Sequence, residues 1–548
     1  MNSGWTWNKL GFQVYVLVLF VGSSWLLRLA SLPFTDYKFI YGLDDPYIHL
    51  ALSERITRGE YGINPGEIAS PSSSVIYPFL LTLGFYLNIP EAFPFWLSLI
   101  SMAGALWMVA GFIWDRIAES GTSPSHWFII LGGVGIVFSL NAPTFPMIGM
   151  EHPLHILGTV MVLRGIHGLL GGNRRDAILV SIGSVLVPLA RYEGIPLGLA
   201  GVGTLILFGH YRAGLLSLLG FGVPMGAHMF MLWKAGLPLM PSSVMVKSYL
   251  LYNFNVTNLS QFLQFIWILT RDILDKVLKV LCDPCRYPLT WEHYFTFTIF
   301  FLLTLMPLVR GESARYRYLW LVVVLVLYMH LLGGWYGTLG RYEAYAVTAM
   351  VIGLGSALSS ILPRVGRQIA FMGIFFMCSE IYVPTISLAP SASTTIYVQQ
   401  YQMHRFATEF FPYPVALNDL GWMSYGNKAY ILDLAGLASD TIRVIRQRGK
   451  WTPESIRDLA LQKGIVYAMI YRSWMPSIPS EWCLVGVLKT FSTVAGDDKV
   501  SIYLINPAYR QQMEAALDKW EKTLPMGARL YRFNCPPDSA WHAIKDQL

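Results

Sequence analysis

Two adjacent carboxylates, Asp44 and Asp45, stand in the stretch Gly42-Leu43-Asp44-Asp45-Pro46-Tyr47-Ile48-His49-Leu50-Ala51, shortly after an apolar run of membrane-spanning length. They open an amphipathic run with Ile48, Ala51, Leu52 and Ile56 on one side and Glu54, Arg55 and Arg58 on the other. Either Asp can N-cap that helix, because a carboxylate accepts orphan N–H groups and suits the positive end of the dipole. Capping uses one carboxylate. The second, held at a membrane surface, can take a proton from a hydroxyl as a general base. On these residues alone a capped surface helix is the commoner outcome.

Four more loops place ionisable residues beside apolar segments: Gly149-Met150-Glu151-His152, Arg191-Tyr192-Glu193, Pro241-Ser242-Ser243-Val244-Met245-Val246-Lys247 and Gly340-Arg341-Tyr342-Glu343. Each has a plain structural use. Glu151 with His152 can satisfy helix N-terminal donors, Arg191 can pair with Glu193 and Arg341 with Glu343, and Lys247 can snorkel to headgroups. Taken together, ionisable groups gathered near membrane depth point to function. Cations there suit a phosphate anchored in the bilayer, which Arg binds in bidentate fashion. A sugar linked to a lipid phosphate carries its own good leaving group. Its transfer needs a base for the acceptor hydroxyl and positive charge for the departing phosphate, with or without a divalent cation.

The elements that must position these residues follow from composition. Of 548 residues, 54% are hydrophobic and only 13% charged, against about a quarter charged in globular chains. The 18 Trp and 30 Tyr suit two membrane–water interfaces. The net charge of +7 comes without a long basic run, which excludes a nucleic-acid partner. The first apolar stretch, 11–32, is a span and not a cleavable signal. Further apolar segments fall at 93–114, 126–141, 152–170, 177–190, 193–209, 213–232, 294–309, 319–333, 343–361 and 368–388. The fold class is a polytopic α-helical membrane protein of about eleven transmembrane helices. Segment 75–89 is read as a helix at the interface. With the N-terminus cytoplasmic, Arg116, Arg174, Arg175, Arg212, Arg310, Arg315, Arg317, Arg364 and Arg367 all fall on the cytoplasmic side, the positive-inside pattern. The five charged loops then share the outer face.

Residues 1–390 form the membrane domain, with a first outer loop at 33–92, and residues 391–548 form a small extracytoplasmic α/β domain. Strands are expected at 413–419, 429–434, 464–471, 484–491 and 500–505, and helices at 455–463 and 507–524. Cys282 and Cys285 make a C-x-x-C with no second pair at zinc spacing, so a local disulfide or free thiols are expected. Cys483 and Cys535 can pair in an oxidising compartment.

The stretch Asp44-Asp45-Pro46-Tyr47-Ile48-His49-Leu50-Ala51, with Gly59-Glu60-Tyr61-Gly62-Ile63-Asn64-Pro65-Gly66-Glu67 and Ser72-Ser73-Ser74-Val75-Ile76-Tyr77-Pro78, resembles the first outer loop of the GT-C membrane glycosyltransferases, closest to the bacterial arabinofuranosyltransferase branch. Gly149-Met150-Glu151-His152-Pro153-Leu154 is similar to a Gly-(Met/Leu)-Glu-x-x-Leu motif of that branch. Pro241 to Lys247 resembles its Pro-Asn-Thr-x-x-x-Lys loop, with Ser242 and Ser243 at the Asn and Thr positions. Arg341-Tyr342 is similar to an outer-loop Arg that contacts donor phosphate. Asn418-Asp419-Leu420-Gly421 and Asp433-Leu434-Ala435-Gly436-Leu437 also look like segments of the branch's C-terminal domains.

The resemblance implies an inverting transfer of a sugar, with a pentofuranose slightly favoured, from a polyprenyl-phosphate donor to an envelope glycan, lipid or protein at the outer face of a bacterial plasma membrane. Asp44 would be the base, and Asp45 would orient the acceptor or ligate a divalent cation such as Mg2+, Mn2+ or Ca2+. Lys247, Arg341 and Tyr342 would hold the donor phosphate, and Glu151, His152, Arg191, Glu193 and Glu343 would line the sugar and acceptor pocket. The rival reading is a transporter or flippase of lipid-linked sugars, which normally places its polar residues near the midplane in two related halves.

Overall fold

The computed structural model describes residues 7–118, 123–247, 314–333 and 339–536. Cys282, Cys285 and the expected span at 294–309 lie outside them. The first helix, Lys9–Ser31, has 23 residues, about 35 Å at 1.5 Å each, enough for the ~30 Å hydrocarbon layer. Asn8 caps it by accepting from the Gly11 N–H at 2.8 Å. Phe12, Val16 and Phe20 turn into the bundle, while Leu10, Val14, Val18, Leu26 and Leu29 face outward, apolar on the side a lipid would touch. Arg28, near its end, lies over the rings of Trp25, Phe39 and Phe95.

Six helices among the described residues are long and apolar enough to cross a membrane: Lys9–Phe34, Phe93–Ile117, His126–Ile148, His152–Leu170, Tyr211–Lys234 and Arg364–Phe410. The described residues thus carry six of the about eleven expected spans. Three further apolar helices, Tyr192–Leu207, Arg317–His330 and Ala344–Ala357, are shorter, and Ala177–Ala190 has only 14 residues. Hydropathy marked where these helices lie. Tyr77–Tyr86, with ten residues, covers about 15 Å, half the hydrocarbon thickness. Arg364–Val398 is one continuous helix and runs straight through position 390, where composition turns polar.

The helix Asp45–Ile56 departs from the capped surface helix of the sequence reading. Asp44 occupies the N-cap position with helical dihedrals, and its side chain makes no capping bond. A cap needs an extended backbone to swing its side chain over the first turn, and Pro46 already removes one orphan donor. Pro46 to Ser53 are all buried. Ile48 and Ala51 join the same apolar cluster as Met403, Val415 and Leu417, so this helix is packed between the bundle and the C-terminal domain.

That domain carries a six-stranded sheet of order β2-β1-β3-β5-β4-β6, where β1 is Val415–Leu417, β2 Ile431–Asp433, β3 Tyr467–Ile470, β4 Cys483–Thr490, β5 Lys499–Leu504 and β6 Ala528–Arg532. β2, β1 and β3 run parallel, and β3, β5, β4 and β6 are successively antiparallel. Residues of β1 to β3 are buried throughout, as strands covered on both faces must be. Asp440–Gln447 and Pro453–Gln462 supply Ile442, Ile456 and Ala460 to one apolar layer. Arg510–Glu521 supplies Met513, Leu517 and Trp520 to the other. A Cys483–Cys535 disulfide ties the start of β4 to the chain beyond β6.

Polar contacts seat the sheet domain on the first loop. Asn64 exchanges two 2.9 Å hydrogen bonds with the Ile431 backbone. Glu67 meets Lys463 at 2.5 Å.

Candidate functional site

Most of the expected site residues converge at one end of the bundle. Gly149, at φ +64°, turns the chain where a Cβ would collide with the Tyr41 ring, and Glu151 follows at the start of helix His152–Leu170. Its side chain makes no capping bond. The carboxylate instead accepts from Arg191 Nη1 at 2.5 Å and Ser73 Oγ at 2.9 Å, and its second oxygen lies 3.5 Å from His49 Nε2. Burial pushes the Glu151 carboxyl up, but Arg191 and then His49 outweigh it, leaving it below its ordinary value.

Arg191 follows helix Ala177–Ala190 in extended backbone. Its guanidinium also holds Glu193 through two bonds of 2.7 and 3.2 Å and lies 3.1 Å from His152 Nε2. Fully desolvated, it keeps its charge because Glu193 and Glu151 flank it. The Arg191–Glu193 pair expected from the sequence is thus present, extended to the buried Glu151.

Arg341 lies in the turn leading into helix Ala344–Ile361. Its Nη2 donates to Asp45 Oδ2 at 2.6 Å and to Tyr342 Oη at 2.8 Å. It pairs with Asp45 instead of Glu343. The guanidinium lies 4.7 Å from the Tyr342 ring centroid, and Arg191 lies 5.5 Å from the same ring. His152 meets Tyr342 edge-on at 5.4 Å. Asp45, Arg341, Tyr342, His152, Arg191, Glu193 and Glu151 thus form one connected set. Glu343 is buried beside it, its carbonyl accepting from Ala346 and Val347. Lys247 closes the helix Ser242–Lys247, and its side chain lies outside the described residues.

The two Asp residues of the first loop have different surroundings. Asp45 keeps 23% of its side-chain surface exposed. Asp44 is 8% exposed, and its Oδ1 accepts from the Trp422 N–H of the sheet domain at 2.8 Å. Its Oδ2 is buried with no hydrogen-bond partner among the described residues. Burial first, and the Asp419 charge second, raise the Asp44 carboxyl well above its ordinary value. Asp419 Oδ2 accepts from Gln400 Nε2 and Tyr471 Oη, both at 2.9 Å.

Among the described residues no group of three or more His, Cys, Asp or Glu could hold a metal ion. Asp45, the candidate metal ligand of the sequence reading, has a carboxylate oxygen engaged by Arg341. This donor set does not fit a divalent cation.

Sequence reasoning missed His49 and Ser73 as partners of Glu151, although both lie in the quoted motifs. It also missed the contact of Asp44 with the Trp422 N–H, for which only the adjoining Asn418-Asp419-Leu420-Gly421 segment gave a signal.

Residues 393–503 match a domain family of unknown function, DUF8728. No curated protein matches the chain. Solved structures similar to it include the oligosaccharyltransferase of Archaeoglobus fulgidus in its apo form, with 12% identity, TM-score 0.45 and coverage of 92% of this chain and 78% of that one. The archaeal oligosaccharyltransferase AglB from the same organism, in complex with an inhibitory peptide and a dolichol-phosphate, gives 12% identity, TM-score 0.44 and coverage of 93% and 78%. The arabinofuranosyltransferase AftD from Mycobacteria gives 14% identity, TM-score 0.42 and coverage of 89% and 41%. Likenesses this remote leave the chemistry to be read from the site itself.

Proposed function

We propose that this chain is a membrane glycosyltransferase of the GT-C type that transfers a sugar from a polyprenyl-phosphate donor to an envelope glycan, lipid or protein. The carrying observation is Arg341. Its side chain is 3% exposed, and its Nε and Nη1 are buried with no hydrogen-bond partner among the described residues. Buried guanidinium donors left unmade cost roughly 1–3 kcal/mol or more each, and the oxygens of a bound phosphate would satisfy them. Asp45 and Tyr342, together with Glu151 nearby, hold the guanidinium charged, above its ordinary pKa despite burial.

Asp45, more exposed than the Asp44 that the resemblance implies as base, accepts the proton of the acceptor hydroxyl in its place. The acceptor oxygen bonds to the anomeric carbon from the face opposite the phosphate, so the configuration inverts. The bond from that carbon to the phosphate oxygen breaks, its electron pair leaves with the polyprenyl phosphate, and the added charge develops beside Arg341. Lys247 is a second phosphate contact by its motif. Glu151, His152, Arg191, Glu193 and Glu343 shape the sugar and acceptor pocket. The motif resemblance favours a pentofuranose such as arabinofuranose. The Cys483–Cys535 disulfide supports an extracytoplasmic sheet domain, with the site at the outer face of a bacterial plasma membrane.

The test is donor binding and transfer with a panel of synthetic polyprenyl-phosphate sugars, using wild type and Arg341→Ala. Loss of phosphate-dependent donor binding in the variant supports the reading, and unchanged binding contradicts it. The charged set gathers at one end of the bundle, which disfavours a flippase working through a midplane site.

A further inference from the structure

The end of the bundle opposite the charged set holds a second polar feature. Helices His152–Leu170 and Ala177–Ala190 join the two ends, packed so closely that a Cβ at Gly165 or Gly183 would overlap the neighbouring helix. The 19 residues of His152–Leu170 cover about 28 Å at 1.5 Å each, close to the ~30 Å hydrocarbon layer. The far end of a helix so placed lies at the headgroup level of the other leaflet. There a cavity of about 250 Å³ opens between two loops, lined by Leu169, Leu170, Gly172, Arg174, Phe208 and His210. Gly172 (φ +92°) and Gly209 (φ +78°) turn the chain out of the two helices that end beside it. The last carbonyls of those helices are already used: Leu169 accepts from the Gly172 N–H and Leu205 from the His210 N–H.

Two helices end beside the cavity, and Ala177–Ala190 and Tyr211–Lys234 begin there. Their dipoles oppose one another, so side-chain charge sets the local field. Arg174, Arg175 and Arg212 are exposed at this end, and none forms an ion pair among the described residues. The nearby Asp176 is turned away, its Oδ2 accepting from Asn173 at 2.9 Å and lying against Gly168. Arginines at a membrane surface are ordinary topology signals, which is reason enough for Arg175 and Arg212. Arg174 differs in lining a cavity walled by Leu169, Leu170 and Phe208. The exposed Leu207, Tyr211 and Leu215 continue that apolar surface outward.

From this geometry we infer that the cavity binds the headgroup of an anionic phospholipid in the leaflet opposite the charged set. The Arg174 guanidinium holds two phosphate oxygens, and the His210 ring supplies one more N–H donor. The acyl chains run along Phe208 and Leu207. Basic cavities between transmembrane helices take such headgroups on the cytoplasmic side, the side the positive-inside pattern favours for this end. A lipid seated there ties loop 171–176 to loop 208–210 and stabilises the folded bundle by mass action. The inference needs only a chain that spans a bilayer and does not rest on the glycosyltransferase reading.

The experiment titrates the full-length protein in detergent with phosphatidylglycerol, phosphatidylcholine or soluble glycerophosphate. Native mass spectrometry counts bound lipid, and the unfolding midpoint is followed at each concentration. Wild type should retain a phosphatidylglycerol and unfold at a higher temperature in its presence, with phosphatidylcholine and glycerophosphate far less effective. Arg174→Gln should weaken phosphatidylglycerol binding about tenfold, as expected for one lost charge-assisted contact. Arg175→Gln removes the same charge one residue away, outside the cavity lining, and should bind nearly as wild type does. Equal losses in the two variants would mean diffuse attraction to a basic surface and would overturn the inference. Phosphatidylcholine binding as tightly as phosphatidylglycerol overturns it too, as does glycerophosphate stabilising as strongly as the lipid. Sugar transfer is no part of the readout, so failure here and failure of the proposed function are told apart.

Discussion

The Asp45 carboxylate lies 2.6 Å from Arg341 Nη2 across 296 residues of sequence. The bond joins the first loop to the turn before helix Ala344–Ile361, and it places a proton acceptor beside a guanidinium with buried donors to spare. Arg341→Lys keeps the charge but loses the planar fork. We expect donor KM to rise about tenfold or more, at roughly 1.4 kcal/mol per decade. Steady-state kinetics at varied donor concentration checks this.

Arg191 joins the buried Glu151 to the partly exposed Glu193, and its removal strands Glu151 in the interior. Arg191→Leu should cost about 3–5 kcal/mol of stability, the range for breaking a buried pair by deleting one partner. Thermal unfolding in detergent measures it. A loss below 1 kcal/mol would show that the carboxylates find other partners.

The pH dependence of Glu151 runs opposite to that of Asp44. Its folded pKa lies below the ordinary value, so its stabilisation is present above the unfolded carboxylate value of about 4.3. That contribution disappears as pH falls through the folded value. Glu151→Gln should therefore blunt the acid limb of the stability profile. Unfolding midpoints between neutral and acid pH provide the check.

Much of this site was legible in the sequence, and the reason is physical. Charged residues beside apolar segments sit at helix ends, and helix ends at one side of a bundle converge, so Glu151, Arg191, Glu193, Arg341 and Asp45 could be grouped without knowing their contacts. Their partners could not be read in this way. Arg341 takes Asp45 and not the nearby Glu343, and Asp44 takes the Trp422 N–H, because such pairings are made by packing and not by spacing. In the sheet domain the expected strands correspond to β1 through β5. β6 was missed because Leu530 is its one fully buried residue, and Asp440–Gln447 because it has only eight residues and buries just Ile442 and Arg443.

Gly421 has no room for a side chain against Asp44. Gly421→Ala should push the Trp422 N–H away from the Asp44 carboxyl and cost about 1–3 kcal/mol, the usual range for overpacking. Faster proteolytic release of the sheet domain, relative to wild type, is the expected observation.

The Cys483–Cys535 bridge spans 52 residues, a loop worth about 4 kcal/mol on the chain-entropy estimate. Reduction should lower the unfolding midpoint of the sheet domain while leaving the membrane helices folded. Circular dichroism with and without reductant tests this.

The most direct measurement is single-turnover sugar transfer from a polyprenyl-phosphate donor, with wild type and Asp45→Asn side by side and donor binding measured on both. Wild type should transfer the sugar with inversion. Asp45→Asn should bind the donor about as well and transfer it about 10²–10⁴-fold more slowly, the span expected for loss of a general base. Equal rates in the two proteins, or no donor binding by either, would contradict the account.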